Sequence, residues 1–358
     1  MCECETAAMS AIAEELGASP TLFPYMLDVP RDSVSFLRLT RADYERASFL
    51  DARLLNPQIS SHALPWAQVA AAIDAARLTE RCGFIFHIGH VGSTLLSRLI
   101  GAHSCAFSLR EPLMLRTFAQ LSGEPEGRPR AWLQDQFNAR LTGGLKLLSR
   151  TFETRQLSVV KATSFVSELA ATLLSRASAP RALMMHVSPE SYIATILGGP
   201  NSRQEARILA PSRLLRLHRR LGCEPWPLAS LSEGEVLALS WACEMSALAH
   251  AADFDSSRVF RLDFDRFLVN PAPLLFSVFR HFDLEATSSE VSAILEGPDM
   301  RRYSKAPEHA YDAALRRDVL NEARAAHGPE IRRGLAWLDR AAAQFPAVRD
   351  AMRFHIQH

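Results

Sequence analysis

Four short apolar runs recur through the middle of the chain: FIFHI (84–88), LSVV (157–160), ALMMHV (182–187) and RVFRLDF (258–264). Each has the length and composition of a buried strand. The stretches between them have the spacing of amphipathic helices, as at Leu169, Leu173 and Leu174. Because parallel neighbours in a sheet need crossover connections, this alternation predicts a three-layer α/β fold with a central parallel sheet.

The two ends of the chain have a different pattern. Residues 1–82 are predicted as a helical and loop extension, in which SVSFLRL, beginning at Ser33, alternates as a strand does. Residues 286–358 are predicted as a helical extension packed on the core, with Leu335 and Leu338 on one helical face. The α/β core is therefore expected to span residues 83–285.

Composition narrows the classes of function. Of the 358 residues, 40 Lys and Arg almost balance 39 Asp and Glu, so no overall positive field favours nucleic acid or an anionic membrane. The first residues are acidic where a secretory signal is basic, and no apolar run reaches spanning length without an ionisable residue. We expect a cytoplasmic protein. The six cysteines form no CxxC pair and no histidines stand at metal-ligand spacing, so no metal site is predicted.

The segment FIFHIGHVGSTLLSRLIG (84–101) has the pattern of an anion-binding loop. A strand leads into a turn containing Gly89 and Gly92, and a helix follows. Glycines let the backbone approach an oxyanion, and the first N–H groups and dipole of the helix favour negative charge. The alternative is an ordinary turn whose hydroxyl residues only cap the helix. A Walker loop would place Lys after the second glycine, where this chain has Ser93.

The motif HIGHVGST resembles the 5′-phosphosulfate loop of PAPS-dependent sulfotransferases, which have a P-loop fold, lack the Walker lysine and use no metal. The resemblance implies PAPS as the donor, PAP as the product and a protein that needs no metal. His90 stands where the family commonly has Lys or Arg, so its charge would depend on pH. The residues implied in donor binding are Gly89, His90, Val91, Gly92, Ser93 and Thr94.

SLREPLMLR (108–116) resembles the acidic segment that carries the catalytic base in protein-tyrosine sulfotransferases. The match makes Glu111 the candidate base for an acceptor hydroxyl. The alternative is a structural ion pair with Arg110 or Arg116.

VVKATS (159–164) resembles the strand-end segment whose lysine stabilises the charge that develops in sulfuryl transfer. Lys161 takes that role by the match, with His90 assisting, and a solvated strand end is the alternative. Cytosolic members have a catalytic His two positions later, where this chain has Thr163. This departure is consistent with Glu111 acting as the base.

MMHVSPESYIATIL (184–197) resembles the strand and helix that bind the 3′-phosphate. Thr195 can replace the usual Ser, but Val187 stands at the usual Arg position, so another cation is required. The candidates are His186, Arg203 and a basic cluster made of Arg301, Arg302 and Lys305. For this cluster, a solvated surface is the alternative interpretation. In RLDFDRFLVNP (261–271), Asp263 is expected to be structural.

These observations predict a sulfotransferase that moves a sulfuryl group from PAPS to a hydroxyl or amine of a small-molecule or peptide acceptor. One alternative is an ATP-dependent kinase on the same fold, which would need a magnesium site. The other is a non-catalytic nucleotide-binding protein, which Val187 at the usual Arg position favours. The acceptor and the oligomeric state, including a homodimer, stay open.

Overall fold

The computed structural model describes residues 14–17, 19–123, 131–302 and 312–356. Its N-terminal part contains an antiparallel sheet of β1 (Leu22–Asp28), β2 (Ser33–Arg38) and β3 (Ser61–Pro65), with β2 in the middle. The helices of this part are α1 (Arg41–Arg46) and α2 (Trp66–Ala75).

The antiparallel sheet corrects the expectation of a helical and loop extension. The alternation that begins at Ser33 is β2, as predicted. The two other strands were missed because neither alternates: β1 is buried at five of its seven positions, and β3 has a single buried residue, Leu64. Both strands are held by pairing with β2, which a local pattern does not reveal.

The predicted α/β class is confirmed. The central sheet contains β4 (Cys82–His87), β5 (Ala106–Arg110), β6 (Leu157–Lys161), β7 (Ala182–His186) and β8 (Val259–Asp263). All neighbours are parallel, and the order is β5-β6-β4-β7-β8. The four apolar runs correspond to β4, β6, β7 and β8.

Strand β5 was not predicted, because polar residues interrupt its apolar pattern. All five residues are nevertheless buried. The Ser108 hydroxyl shares a 2.6 Å hydrogen bond with that of Ser97, and the Arg110 guanidinium donates to backbone carbonyls at the end of α1. Tertiary partners therefore satisfy the polar groups, as burial requires.

Helices connect and flank the parallel sheet. They are α3 (Ser93–Gly101), α4 (Leu113–Ser122), α5 (Gln134–Leu148), α6 (Ala170–Leu174), α7 (Pro189–Leu197), α8 (Pro200–Leu221), α9 (Glu233–Phe254), α10 (Phe264–Val269), α11 (Pro271–His281) and α12 (Ser288–Glu296). Helix α3 packs on β5 and β6. Short 3₁₀ helices span Ala52–Leu54, Ser164–Leu169, Leu228–Ser230, Ser256–Arg258 and Pro298–Arg301.

Most of the described residues after 286 are helical. Following α12, they form α13 (Ala313–Gln344) and α14 (Pro346–Ile356), both of which pack against α9. Within the described ranges, no helix combines the length and the apolar character needed to cross a membrane.

Candidate functional site

A cleft of about 970 Å³ opens at the carboxyl edge of the parallel sheet. In open α/β sheets, ligands bind in the crevice outside this edge. Residues 89–94, Glu111 and Lys161 all line the cleft, so the structure brings together three segments that were predicted from separate motifs.

The turn after β4 has the shape of an anion cradle. Gly89, His90 and Gly92 have φ values of 85°, 55° and 66°, which is the left-handed region. Gly92 is the N-cap of α3 and provides no side-chain cap, so the capping role considered for the neighbouring hydroxyls is not seen. The first amides of an α-helix have no intrahelical acceptor and therefore suit an anion.

Gly92 is also required for packing. A Cβ atom at this position would lie 2.1 Å from the ring of Phe264, the first residue of α10. The turn and the aromatic ring beneath it therefore fit only because the side chain is absent.

The two predicted catalytic residues form an ion pair. Lys161 ends β6 and is completely buried, and its Nζ donates a hydrogen bond to Oε1 of Glu111. Glu111 follows β5 with a φ of 59°, and its backbone N–H donates to the Lys161 carbonyl over 2.6 Å. A non-glycine residue in this conformation is costly and persists only where neighbours hold it. Adjacent strands thus place a carboxylate and an ammonium together in the cleft.

This pairing corrects two alternatives drawn from the sequence. The Arg110 guanidinium does not contact Glu111 within the described structure; it donates to the carbonyls of Tyr44 and Ala47 at the end of α1. Lys161 is not a solvated strand end, because its side chain has no exposed surface. Arg116 lines the cleft.

Two histidines stand beside the loop. His87, which ends β4, accepts a hydrogen bond at Nδ1 from the Gly89 N–H over 3.0 Å, and its Nε2 lies 3.9 Å from Glu111 Oε1. It was missed because it lies inside an apolar run. His90 lines the cleft, with Nε2 3.5 Å from Oε2 of Glu205 on α8.

Two hydroxyl groups in the cleft have unused hydrogen-bonding capacity. Oγ1 of Thr94 and Oγ1 of Thr163 are buried and make no hydrogen bond within the described part of the chain. A buried polar group left unsatisfied costs about 1–3 kcal/mol. A bound polar group in the cleft would supply the missing partners.

Only some of the residues predicted to bind the 3′-phosphate line the cleft. Thr195 and Arg302 line the cleft, and the Thr195 hydroxyl donates to the Ser191 carbonyl. Arg301 is outside the described lining, and Lys305 lies outside the described residues.

The other two residues predicted to replace the Arg that is missing at Val187 are not part of the described lining of the cleft. His186 is completely buried and faces the side chains of Asp263 and His355. Arg203 pairs with Glu233 over 2.5 Å. Further cations that line the cleft were missed because they lie outside the matched motifs; they are Arg53, Arg213 and Arg316.

Comparison with known proteins gives only distant similarity. No protein-family model and no curated protein matches the chain. Among solved structures, the chain is similar to a sulfotransferase domain from the curacin biosynthetic pathway, with 15% identity, coverage of 73% of this chain and 99% of that one, and a TM-score of 0.39. It is also similar to the sulfotransferase STF9 from Mycobacterium avium, with 12% identity, coverage of 89% and 96%, and a TM-score of 0.39.

Proposed function

We propose that the protein is a PAPS-dependent sulfotransferase that transfers a sulfuryl group to an acceptor hydroxyl or amine. The observation that carries the proposal is the Lys161–Glu111 pair, which lines the same cleft as a glycine turn without a Walker lysine. The pair supplies a cation for developing negative charge and a carboxylate for an acceptor proton.

The donor groups of the cleft fit the phosphosulfate end of PAPS. The helix-start amides after Gly92 and the hydroxyls of Thr94 and Thr163 all favour an oxyanion. PAPS supplies an activated sulfuryl group, which carries less charge than a γ-phosphate, so fixed hydrogen-bond donors and one ammonium can stabilise its transfer.

Each member of the pair has a separate role. Glu111 accepts the proton of the acceptor hydroxyl as the new oxygen–sulfur bond forms. Lys161 stabilises the negative charge left on the 5′-phosphate as the old sulfur–oxygen bond breaks. An anion in the cleft gives Lys161 a second negative neighbour and leaves the carboxylate available to the acceptor.

For the 3′-phosphate, Arg302 is the best candidate among the predicted basic residues. It shares the cleft with Thr195 and with Arg316, which packs over Phe264. A guanidinium binds phosphate with two parallel hydrogen bonds, so it can replace the Arg that the chain lacks at Val187.

Binding of PAP tests the proposed function. We expect PAP and PAPS to raise the thermal unfolding midpoint without added metal, because a ligand of the folded state stabilises it by mass action. The measurement is thermal unfolding with PAP, PAPS and ATP, each with and without magnesium. A response to PAP that depends on magnesium would contradict the proposal. Selective stabilisation by ATP with magnesium would favour a kinase, and no response to any nucleotide would exclude this use of the cleft.

Gly92→Ala tests the loop. We expect a lower unfolding midpoint and loss of PAP binding, because a left-handed backbone costs an L-residue about 1–2 kcal/mol and the new methyl group would displace Phe264. The matched control is Gly222→Ala, where φ is 70° but nothing lies within 4 Å of the added carbon. Both variants should lose stability, and only Gly92→Ala should lose PAP affinity. Equal PAP affinity in the two variants would remove the loop from the binding site.

A further inference from the structure

A second cluster of polar side chains lies at the carboxyl edge of the sheet, and none of its members belongs to the described lining of the cleft. His186 ends β7, Asp263 ends β8, and His355 lies in the last turn of α14. The Nδ1 atoms of the two histidines are 3.2 Å apart, and Oδ2 of Asp263 lies 3.8 Å and 4.0 Å from them. Three elements that are distant in sequence thus present three potential metal ligands to one point.

The spacing of the three atoms suits a zinc ion. The point equidistant from them lies about 2.1 Å from each, and bonds from zinc to nitrogen or oxygen are about 2.0–2.2 Å long. With such bonds, the ligands of a tetrahedral ion lie about 3.4 Å apart and those of an octahedral ion about 3.0 Å apart. The separation of the two Nδ1 atoms, 3.2 Å, lies between these values, and the 3.8 Å and 4.0 Å separations from Oδ2 exceed both. The equidistant point therefore lies in the plane of the three atoms, and Asp263 would move toward the histidines to bind a tetrahedral ion.

The surroundings orient the ligands. The second carboxylate oxygen of Asp263, Oδ1, accepts the backbone N–H of Arg266 over 3.0 Å, which turns Oδ2 toward the histidines. His186 is completely buried, whereas the His355 side chain is 17% exposed, which leaves a route from solvent. The Trp241 ring lies edge-on to His355. Asp263 thus has an outer hydrogen bond of the kind that usually orients a metal ligand.

We propose that His186, Asp263 and His355 bind one divalent transition-metal ion, for which zinc has the best fit. The ion would fasten α14 to the ends of β7 and β8. Asp263 is followed by Phe264, whose ring packs against Gly92. The ion would therefore also restrict the movement of the ring that supports the turn after β4. The site is structural and independent of the proposed function.

The metal-free alternative is a hydrogen-bonded network. One imidazole would donate to the other across the 3.2 Å separation, with Asp263 as a charged neighbour. The two arrangements differ in whether zinc adds stability and whether each of the three side chains is needed for zinc to bind.

The test is a zinc titration of the full chain without a histidine tag, in competition with a chromophoric chelator. Cys2→Ser and Cys4→Ser are included in every protein, so that the N-terminal thiols do not contribute. We expect the parent protein to bind one zinc ion tightly and His355→Ala to bind it more weakly by over 100-fold, since even outer partners of a metal site contribute about 10–100-fold. The matched control is His250→Ala, which removes an exposed imidazole from α9 and should bind zinc normally.

Two further measurements guard against a variant that fails to fold. Asp263→Asn keeps a side chain that can cap α10 but removes the charge, and it should weaken zinc binding as His355→Ala does. Zinc should raise the thermal midpoint of the parent and of His250→Ala only. No bound zinc in the parent, or undiminished binding in both site variants, would overturn the proposal and leave the hydrogen-bonded network.

Discussion

Lys161→Met should lower the rate of sulfuryl transfer by about 10²–10³-fold, the typical effect of removing one preorganised group that stabilises charge in the transition state. Methionine has an unbranched side chain one atom shorter than that of lysine, so in a position with no exposed surface it removes the charge with a small change in packing. The measurement is the rate of transfer from PAPS at saturating donor, once an acceptor is known.

The chain offers a close control for this substitution. It contains only three lysines, and Lys146 lies on α5 outside the described lining of the cleft. Lys146→Met should therefore leave the rate unchanged. Lys161→Arg keeps the positive charge and should still lose activity. The planar guanidinium is larger than the ammonium, and no exposed surface is available to it.

Stability separates the electrostatic role from folding. Lys161→Met leaves the Glu111 carboxylate without its partner, and breaking a buried pair on one side costs about 3–5 kcal/mol when the remaining charge is fully buried. Glu111 is 15% exposed, so we expect a smaller loss. Adding Glu111→Gln should restore part of the stability and none of the activity. A transfer rate near wild type in Lys161→Met would remove Lys161 from the mechanism.

The sequence predicted most of the central sheet because buried parallel strands are marked locally, by short apolar runs between helices. It failed where burial depends on distant partners. Ser108 and Arg110 interrupt the apolar pattern of β5, so the strand was not predicted. They can be buried because α3 and the end of α1 satisfy their polar groups. The antiparallel strand β1 was hidden in the same way, because its pattern does not alternate.

The candidate site could likewise be predicted only in part. Glu111 and Lys161 were each predicted from a motif, yet their pairing follows from strand order, because β5 and β6 are neighbours in the sheet. Sequence proximity suggested Arg110 or Arg116 as the partner in an ion pair instead. The cluster of His186, Asp263 and His355 was beyond reach for the same reason, since no spacing in the sequence shows that these three elements meet.

Glu111→Gln should lower turnover by about 10²–10⁴-fold while PAP still binds, because a positioned general base contributes a factor of that size. Glutamine keeps a side-chain oxygen that can accept the hydrogen bond from Lys161, so the local geometry is preserved. Loss of the charge should still destabilise the protein, since it removes the carboxylate that is hydrogen-bonded to a completely buried ammonium.

A fall in stability therefore does not distinguish a base from a structural partner, and a control for the lost ion pair is needed. Glu80→Gln breaks an ion pair outside the described lining of the cleft, with Arg176 at 2.6 Å. The Glu80 carboxylate is 11% exposed, against 15% for Glu111, and Arg176 is 18% exposed, whereas Lys161 is completely buried. Glu80→Gln should lose stability and keep its rate.

The acceptor itself gives the decisive comparison. A base matters most for an acceptor hydroxyl that holds its proton tightly, because proton transfer follows Brønsted behaviour. The defect of Glu111→Gln should therefore shrink along a series of phenols of increasing acidity, whereas a merely misplaced donor would slow every acceptor by the same factor. A defect that stays constant along the series would leave Glu111 as the partner that positions Lys161, and the neighbouring His87, 3.9 Å from the carboxylate, would become the candidate base.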